Sequence, residues 1–230
     1  MKAVLLSAGY GTRLKPLTDT IPKCLVPVQN KPLLAYWLEL LLPKPIDHIL
    51  INTHYLAQHV EDYVQSSPWE SAITLVHEER LLGTGGTLHC NRDFIKDGPF
   101  LVAHADNLTR FSVEDFIAAH ERRKPGIDIT MMTFQTDNPQ SCGIVELDAD
   151  NTVIGFHEKV AKDYGLQANA AVYIFEPSVL DFLVSLNKDV IDLSTEVIPH
   201  FLGRIQTHHN ADYHRDIGTV QSLVLAEAEF

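Results

Sequence analysis

The stretch from Ser7 to Leu33 separates a short apolar run from the first helical pattern and keeps no sustained hydrophobic period. A loop of that length inside a compact domain is functional or disordered. Leu14, Leu17, Ile21, Leu25, Val26 and Val28 give it apolar anchors that a solvated linker lacks, so an ordered loop is expected. It carries glycines and prolines together with Arg13, Lys15, Lys23 and Lys31, a composition suited to holding phosphates. Gly9 and Gly11 let backbone amides approach a ligand, Arg13 offers a planar fork for two oxygens, and Lys23 a mobile point charge. Taken alone, a GxG after a strand fits an ordinary glycine turn with solvated cations equally well.

What surrounds the loop bounds the answer. With 230 residues the chain suits one large α/β domain and leaves no room for a second independent enzyme. A net charge of -12 argues against a nucleic-acid backbone or an anionic membrane as the main partner, although local cations or metal ions could still neutralise a polyanionic small ligand. Cys24, Cys90 and Cys142 are odd in number and contain no CxxC, which points to free thiols in a reducing compartment, the cytoplasm by default. The apolar run after Lys2 is too short for a signal peptide, and no segment reaches the length of a membrane span.

Along the chain, Lys2 to Ser7 reads as a strand buried on both faces. Pro32 suits the first helical position, and Leu33, Leu34, Trp37, Leu38, Leu41 and Leu42 keep helical spacing until Pro43 and Pro45. Strands are expected over residues 47–53, 72–77, 99–105 and 128–134. Helices are expected from Leu56 onward, over 87–94, and after Ser112, where Asp115 three residues later resembles a capping box. After Asn138 the rhythm changes to a hairpin, 143–147 with 153–158, and a further strand over 168–175. Helices over 177–186 and 194–202, an extended 204–208 and a helix over 219–229 follow. The expected fold class is α/β: a Rossmann-like doubly wound, mostly parallel sheet with a small antiparallel hairpin subregion, in which ligands sit at the carboxyl ends of strands.

Two phosphate motifs are excluded. The dinucleotide fingerprint needs a small residue where Leu14 stands and an acidic residue where Gln29 and Asn30 stand, and the Walker loop is absent. Instead, Gly9-Tyr10-Gly11-Thr12-Arg13-Leu14-Lys15-Pro16-Leu17-Thr18, with Pro22-Lys23 and Lys31-Pro32-Leu33, resembles the GxGTRLxPLT...PK...KPL signature of the sugar-1-phosphate nucleotidyltransferases. The resemblance continues in order through Leu82-Gly83-Thr84-Gly85-Gly86, Asp106, Glu158-Lys159 and Asp216-Ile217-Gly218-Thr219.

The resemblance implies roles. Ala8, Gly9, Gly11, Thr12 and Arg13 would hold a nucleoside triphosphate, with Arg13 near the departing pyrophosphate and Lys23 bridging the reacting phosphates. Gly83, Thr84, Gly85 and Gly86 would line the nucleobase pocket, in a form similar to guanylyl- and some uridylyltransferases. Asp106 and Asp216 would bind Mg²⁺, and Arg13, Lys23 and Asp106 would be the catalytic set. Lys23, Asn107, Gly143, Glu158, Lys159 and Asn169 would meet the sugar phosphate. Ala105, Val160 and Ala171 replace the Gly, Pro and Gly usual in the family. On this reading residues 1–230 form one domain, 1–137 mainly for the nucleotide and 138–230 mainly for the sugar phosphate. The implied reaction joins an NTP and a sugar 1-phosphate into an NDP-sugar and pyrophosphate, with GTP and mannose- or manno-heptose-1-phosphate foremost. An N-acetylmuramate-type uridylyltransferase and a non-catalytic nucleotide-sugar-binding homologue are the alternatives. The twelve histidines show no metal-ligand spacing and are expected at the surface or in packing.

Overall fold

A computed structural model describes residues 1–42 and 45–230. In chain order, β1 (Lys2–Leu6) leads into the long loop, which is ordered as three short 3₁₀ turns, Thr12–Leu14, Leu17–Asp19 and Lys23–Leu25, and a two-residue hairpin of β2 (Pro27–Val28) and β3 (Lys31–Pro32). The expected apolar anchors hold it. Leu14, Val26 and Val28 are wholly buried in one cluster with Leu33, Leu108 and Ile217, and Leu17 and Ile21 pack against it. Helix α1 (Leu33–Leu41) begins one residue later than expected. Pro32 is still extended (ψ 143°) and pairs with Pro27, so it precedes the helix instead of opening it. Pro43, expected to end this helix, lies outside the described residues.

Strand β4 (His48–Thr53), α2 (Ala57–Gln65), β5 (Ile73–His77), α3 (Gly83–Cys90), α4 (Arg92–Ile95) and β6 (Phe100–His104) follow. The helix expected over 87–94 is thus two, and the first starts inside the glycine cluster. Tertiary packing overrides the poor helix propensity of glycine here, for reasons given with the site. Next come β7 (Asn107–Arg110), α5 (Val113–Glu121) and β8 (Ile129–Gln135). The Ser112 hydroxyl caps α5 by accepting from the Asp115 amide at 3.1 Å. Strands β9 (Gly143–Leu147), β10 (Val153–Glu158) and β11 (Gln167–Phe175) form the expected meander. Helix α6 (Pro177–Ser185) then leads to a π turn and a 3₁₀ turn over Leu193–Phe201 where one regular helix was expected. Strands β12 (Ile205–His209) and β13 (Tyr213–Asp216) and α7 (Val220–Glu229) complete the order.

The architecture is α/β, with a mostly parallel central sheet and small antiparallel sheets, as the alternation implies. The chain divides into two compact units. The first comprises Met1–Leu81, Ala103–Phe111 and Asp212–Phe230; the second comprises Leu82–Val102 and Ser112–Ala211. In the first unit β1 pairs in parallel with β4, and β4 in parallel with β5. Ala3, Val4, Leu5, Ile49 and Ile51 are fully buried there, which explains why these strands read as unbroken apolar runs. The short β7 and β13 pair antiparallel with Asp216 opposite Asn107. In the second unit β11 pairs antiparallel with β8, β8 runs parallel to β12, and β9 and β10 form the hairpin. The buried His120 ties α5 to this sheet, its ring nitrogens 2.8 Å from the Thr130 hydroxyl and 2.9 Å from Glu176.

Candidate active site

The first unit gathers the cations and carboxylates that the sequence singles out. Lys23 opens the third 3₁₀ turn of the long loop, Asp106 sits in the turn after β6, and Asp216 ends β13. The Lys23 ammonium donates to Asp106 Oδ2 at 2.5 Å and to Asp216 Oδ1 at 3.1 Å, and the Arg13 guanidinium lies 3.8 Å from Asp216 Oδ2. Lys23 is buried (7% exposed), whereas Arg13 and Thr12 are exposed. Burial alone would lower the Lys23 pKa, but the charges of Asp106 and Asp216 and their hydrogen bonds outweigh it and hold the ammonium above its ordinary value. Burial works against the Asp106 carboxylate too. The Lys23 charge, aided by His104, wins and keeps its pKa below the usual range.

The glycine turn stands next to this triad. Gly11 adopts φ +63°, the left-handed region, and a Cβ there would lie 3.1 Å from the Lys23 Cβ and 3.0 Å from a Thr18 methyl. Gly9 is exposed with open space around its Cα, and Ala8 is buried behind it. Asn107 is buried, and its carbonyl accepts from the Trp37 indole N–H at 2.8 Å, which fixes the residue following Asp106 onto the core.

The residues expected to hold the turn did not include those that do. At the carboxyl end of β4, the Asn52 side-chain oxygen accepts from the Ser7 amide at 2.7 Å, and the Asn52 backbone carbonyl accepts from the Ser7 hydroxyl at 2.5 Å. His54 Nε2 lies 3.0 Å from the Tyr10 hydroxyl. The Tyr55 hydroxyl donates to the Thr18 carbonyl at 2.9 Å, and the Thr18 hydroxyl donates to the Gly11 carbonyl at 2.8 Å. One signal was available in the sequence: Asn52, His54 and Tyr55 sit at the carboxyl end of a buried parallel strand, where ligands of such sheets bind.

The second unit carries the other two groups. Gly143 and Glu158 are register partners in the β9–β10 hairpin, and a Cβ on Gly143 would fall 2.5 Å from the Phe156 ring and 2.7 Å from Glu158 Oε2. The glycine therefore makes room for the neighbouring side chains. Lys159 pairs with Glu158 at 2.9 Å and adopts φ +51°. Asn169 lies on β11, beside Ala168, which pairs with Ile144. The Asn169 side-chain Nδ2 donates to the Tyr173 hydroxyl at 2.6 Å, and Asn169 Oδ1 accepts from the Ala171 amide at 3.0 Å. Ala171 keeps the left-handed φ (+53°) that suits the glycine usual there, inside a bulge between Asn169 and Tyr173.

Gly83 to Gly86 form the first turn of α3 and pack on another segment of the same unit. The amides of Gly85 and Gly86 donate to the Ile191 carbonyl at 2.9 and 3.2 Å, and the Thr84 hydroxyl accepts from the Leu193 amide at 2.8 Å. A Cβ on Gly86 would lie 2.2 Å from the Asp189 carbonyl oxygen. Close backbone approach is why this helix begins with glycines.

Among the described residues, no group of three or more His, Cys, Asp and Glu side chains is gathered as a metal site. Asp106 and Asp216 nevertheless reach one ammonium, so oxygens from both face a single cation-sized point. Two hard oxygen donors around such a point fit Mg²⁺, which takes few protein ligands and fills its shell with phosphate oxygens and water. No described helix is long and apolar enough to cross a membrane.

The family profile described as nucleotidyl transferase matches residues 2–230. The chain belongs to the nucleotidyl transferase family. The resemblance carried by the opening loop is upheld over the whole chain. Among curated relatives, the mannose-1-phosphate guanylyltransferase catalytic subunit beta of Danio rerio is 32% identical over 205 residues, covering 85% of this chain and 56% of the relative. The UTP–glucose-1-phosphate uridylyltransferase of Synechocystis is 30% identical over 213 residues, covering 86% of this chain and 54% of the relative. The chain thus spans about half the length of the curated relatives it matches. In fold, this nucleotidyl transferase superposes on a solved structure described as a putative glucose-1-phosphate thymidylyltransferase from Bacillus anthracis with a TM-score of 0.89 and 21% identity, covering 99% of this chain and 94% of that one.

Proposed function

We propose that this protein transfers a nucleoside monophosphate from an NTP to a sugar 1-phosphate, releasing pyrophosphate and an NDP-sugar. One observation carries the reading: the Lys23 ammonium held between Asp106 and Asp216, with Arg13 beside them, on the rim of the Gly9–Gly11 turn. An oxygen of the sugar phosphate is already anionic at neutral pH, so no side chain has to remove a proton before it attacks the α-phosphorus. As the new P–O bond forms, the bond to the pyrophosphate oxygen breaks. The protein's task is charge neutralisation and in-line positioning.

Arg13, exposed and planar, binds the departing pyrophosphate, and Lys23 bridges the phosphates that react. Ala8, Gly9, Gly11 and Thr12 present the turn to the triphosphate. Asp106 and Asp216 would hold Mg²⁺, which when bound neutralises phosphate charge and aligns the phosphate oxygens. Arg13, Lys23 and Asp106 are the catalytic set. In the second unit, Gly83, Thr84, Gly85 and Gly86 would shape the base subsite, and Gly143, Glu158, Lys159 and Asn169 would serve the sugar phosphate. In the first unit, Lys23 and Asn107 are the groups for the sugar phosphate. The nucleotide is accordingly handled mainly within residues 1–137 and the sugar phosphate mainly within 138–230. The guanylyltransferase relatives, named for mannose-1-phosphate, favour GTP with that sugar phosphate, and manno-heptose-1-phosphate is kept beside it from the sequence resemblance. The uridylyltransferase relative favours UTP as the second reading. A cytoplasmic location suits both substrates and free thiols.

Pyrophosphate release decides the matter. Purified protein with Mg²⁺, each of GTP, UTP, dTTP and CTP, and a panel of sugar 1-phosphates should turn over at least one pair, with GTP ahead. Silence across the panel, together with tight nucleotide or sugar binding by calorimetry, would instead make the protein a non-catalytic sensing homologue.

A further inference from the structure

The Gly9–Gly11 turn carries at its centre an exposed tyrosine whose hydroxyl has a side-chain partner. Tyr10 is 47% exposed, yet its hydroxyl lies 3.0 Å from His54 Nε2, and its ring packs edge-on against His54 and tilted against Tyr55. On the other side of the imidazole, Nδ1 lies 2.7 Å from the Glu78 carbonyl oxygen. A carbonyl only accepts, so Nδ1 must carry the proton. The neutral ring then has a bare Nε2, which accepts, and the Tyr10 O–H donates to it. The direction of both bonds is fixed by one backbone oxygen.

That oxygen is itself well anchored. The Glu78 amide donates to the Thr53 carbonyl at 2.8 Å, and the Glu78 side chain accepts from the Asn52 amide group at 2.9 Å. Asn52 in turn holds Ser7, where the loop begins. The chain of contacts therefore runs from the end of β5, through the end of β4, to the tip of the turn. A second strut runs from Tyr55 through Thr18 to the Gly11 carbonyl. Between the two struts lie Gly9 and Gly11, residues with little rigidity of their own.

We propose that Tyr10 and His54 are positioning residues, a hydrogen-bonded latch that fixes the Gly9–Gly11 backbone in the conformation that receives the triphosphate. The proposal rests on the nucleotidyl-transfer reading for what the turn binds, but not for whether the latch exists. Because the latch touches no reacting atom, its loss weakens nucleotide capture and leaves the chemical step alone: a turn that must be ordered at binding reduces affinity by the cost of ordering it. The two residues act through one bond, so their effects do not add.

The test has a part that needs no activity. Imidazole ¹⁵N correlation spectra, with His54 assigned by its loss in His54→Phe, should show the Nδ1–H tautomer; an Nε2–H tautomer overturns the latch. Backbone ¹⁵N order parameters at Gly9, Tyr10 and Gly11 should fall in both Tyr10→Phe and His54→Phe, because the turn loses its side-chain tether. Unchanged order parameters overturn it too, even if the wild type transfers no nucleotide and the functional reading falls. Where turnover is found, each variant should raise the KM for the NTP roughly three- to tenfold with kcat within about twofold, and the double variant should be no worse than the poorer single one. Additive losses, or an unchanged KM in Tyr10→Phe, count against the proposal. Tyr10→Phe removes only an oxygen from an exposed ring, so a folding defect would not mask the result.

Discussion

Lowering the pH should destabilise this protein through His214 well before its carboxylates titrate. His214 lies two residues before Asp216 on β13, on the same face of the strand, and burial drives its imidazole down from the ordinary 6.5 to about 3. His104 pushes in the same direction, and only Asp106 opposes them. In the fold the ring stays neutral, whereas in the unfolded chain it takes up a proton once the pH falls through 6.5. A depressed histidine therefore contributes stability that is full above 6.5, declines as the pH falls, and levels off only below the folded value. Between about pH 7.5 and about pH 5 the linkage integral gives a loss of about 2 kcal/mol. That figure barely changes for any folded value below about 4, because at pH 5 the native ring is then still neutral. His120 and His208, also lowered chiefly by burial, add to the slope in the same sense. Urea unfolding of the wild type and of His214→Gln at the two pH values isolates the His214 share. The wild type should lose about 2 kcal/mol more than the variant, with unchanged m-values. Equal losses in the two proteins would falsify the argument that burial holds this ring neutral.

Three further outcomes follow from the same geometry. Lys23→Met should cut kcat by roughly 10²- to 10³-fold in the pyrophosphate-release assay, since it removes a preorganised cation from the reacting phosphates; a drop below about threefold would place Lys23 outside the mechanism. Gly86→Ala should cost about 1–3 kcal/mol in urea unfolding, because its methyl would press on the Asp189 carbonyl, which belongs to the backbone and cannot swing away. Cys24 is fully buried, and burial pushes its thiol up to about 12, so a thiol reagent near pH 8 should label the exposed Cys90 quickly and Cys24 only after unfolding.

Much of the fold was legible because burial writes directly into composition. Strands buried on both faces, such as β1 and β4, read as unbroken apolar runs and were placed within a residue or two. Strands β7 and β13 were not foreseen. Tyr213-His214-Arg215-Asp216 shows no apolar alternation, and its partner lies about a hundred residues away, so nothing local marks either segment as extended. Helix α3 was expected to start after its glycines and instead starts with them, since the fit against Ile191 and Asp189 is invisible until both segments are placed. At the site, elementary chemistry could nominate Arg13 and Lys23 as phosphate ligands. It gave no reason to prefer Asp106 or Asp216 over any other turn carboxylate. The family signature supplied those two, and the structure brings them onto one ammonium. His54 is marked only by its place just past the carboxyl end of β4, and its contact with Tyr10, 44 positions away, leaves no pattern of its own in the sequence.

The bond between Lys23 and Asp216 joins residues 193 positions apart, and β13 reaches its place by pairing with β7 beside Asp106. Such a contact carries a large loop-closure cost and must await the ordering of nearly everything between its ends. The carboxylate pair should therefore assemble late in folding. A chain synthesised only as far as Ala211 would already contain the glycine turn, Lys23 and Asp106, yet lack the second carboxylate and the strand that positions it. The centre should thus be completed late, when β13 joins β7.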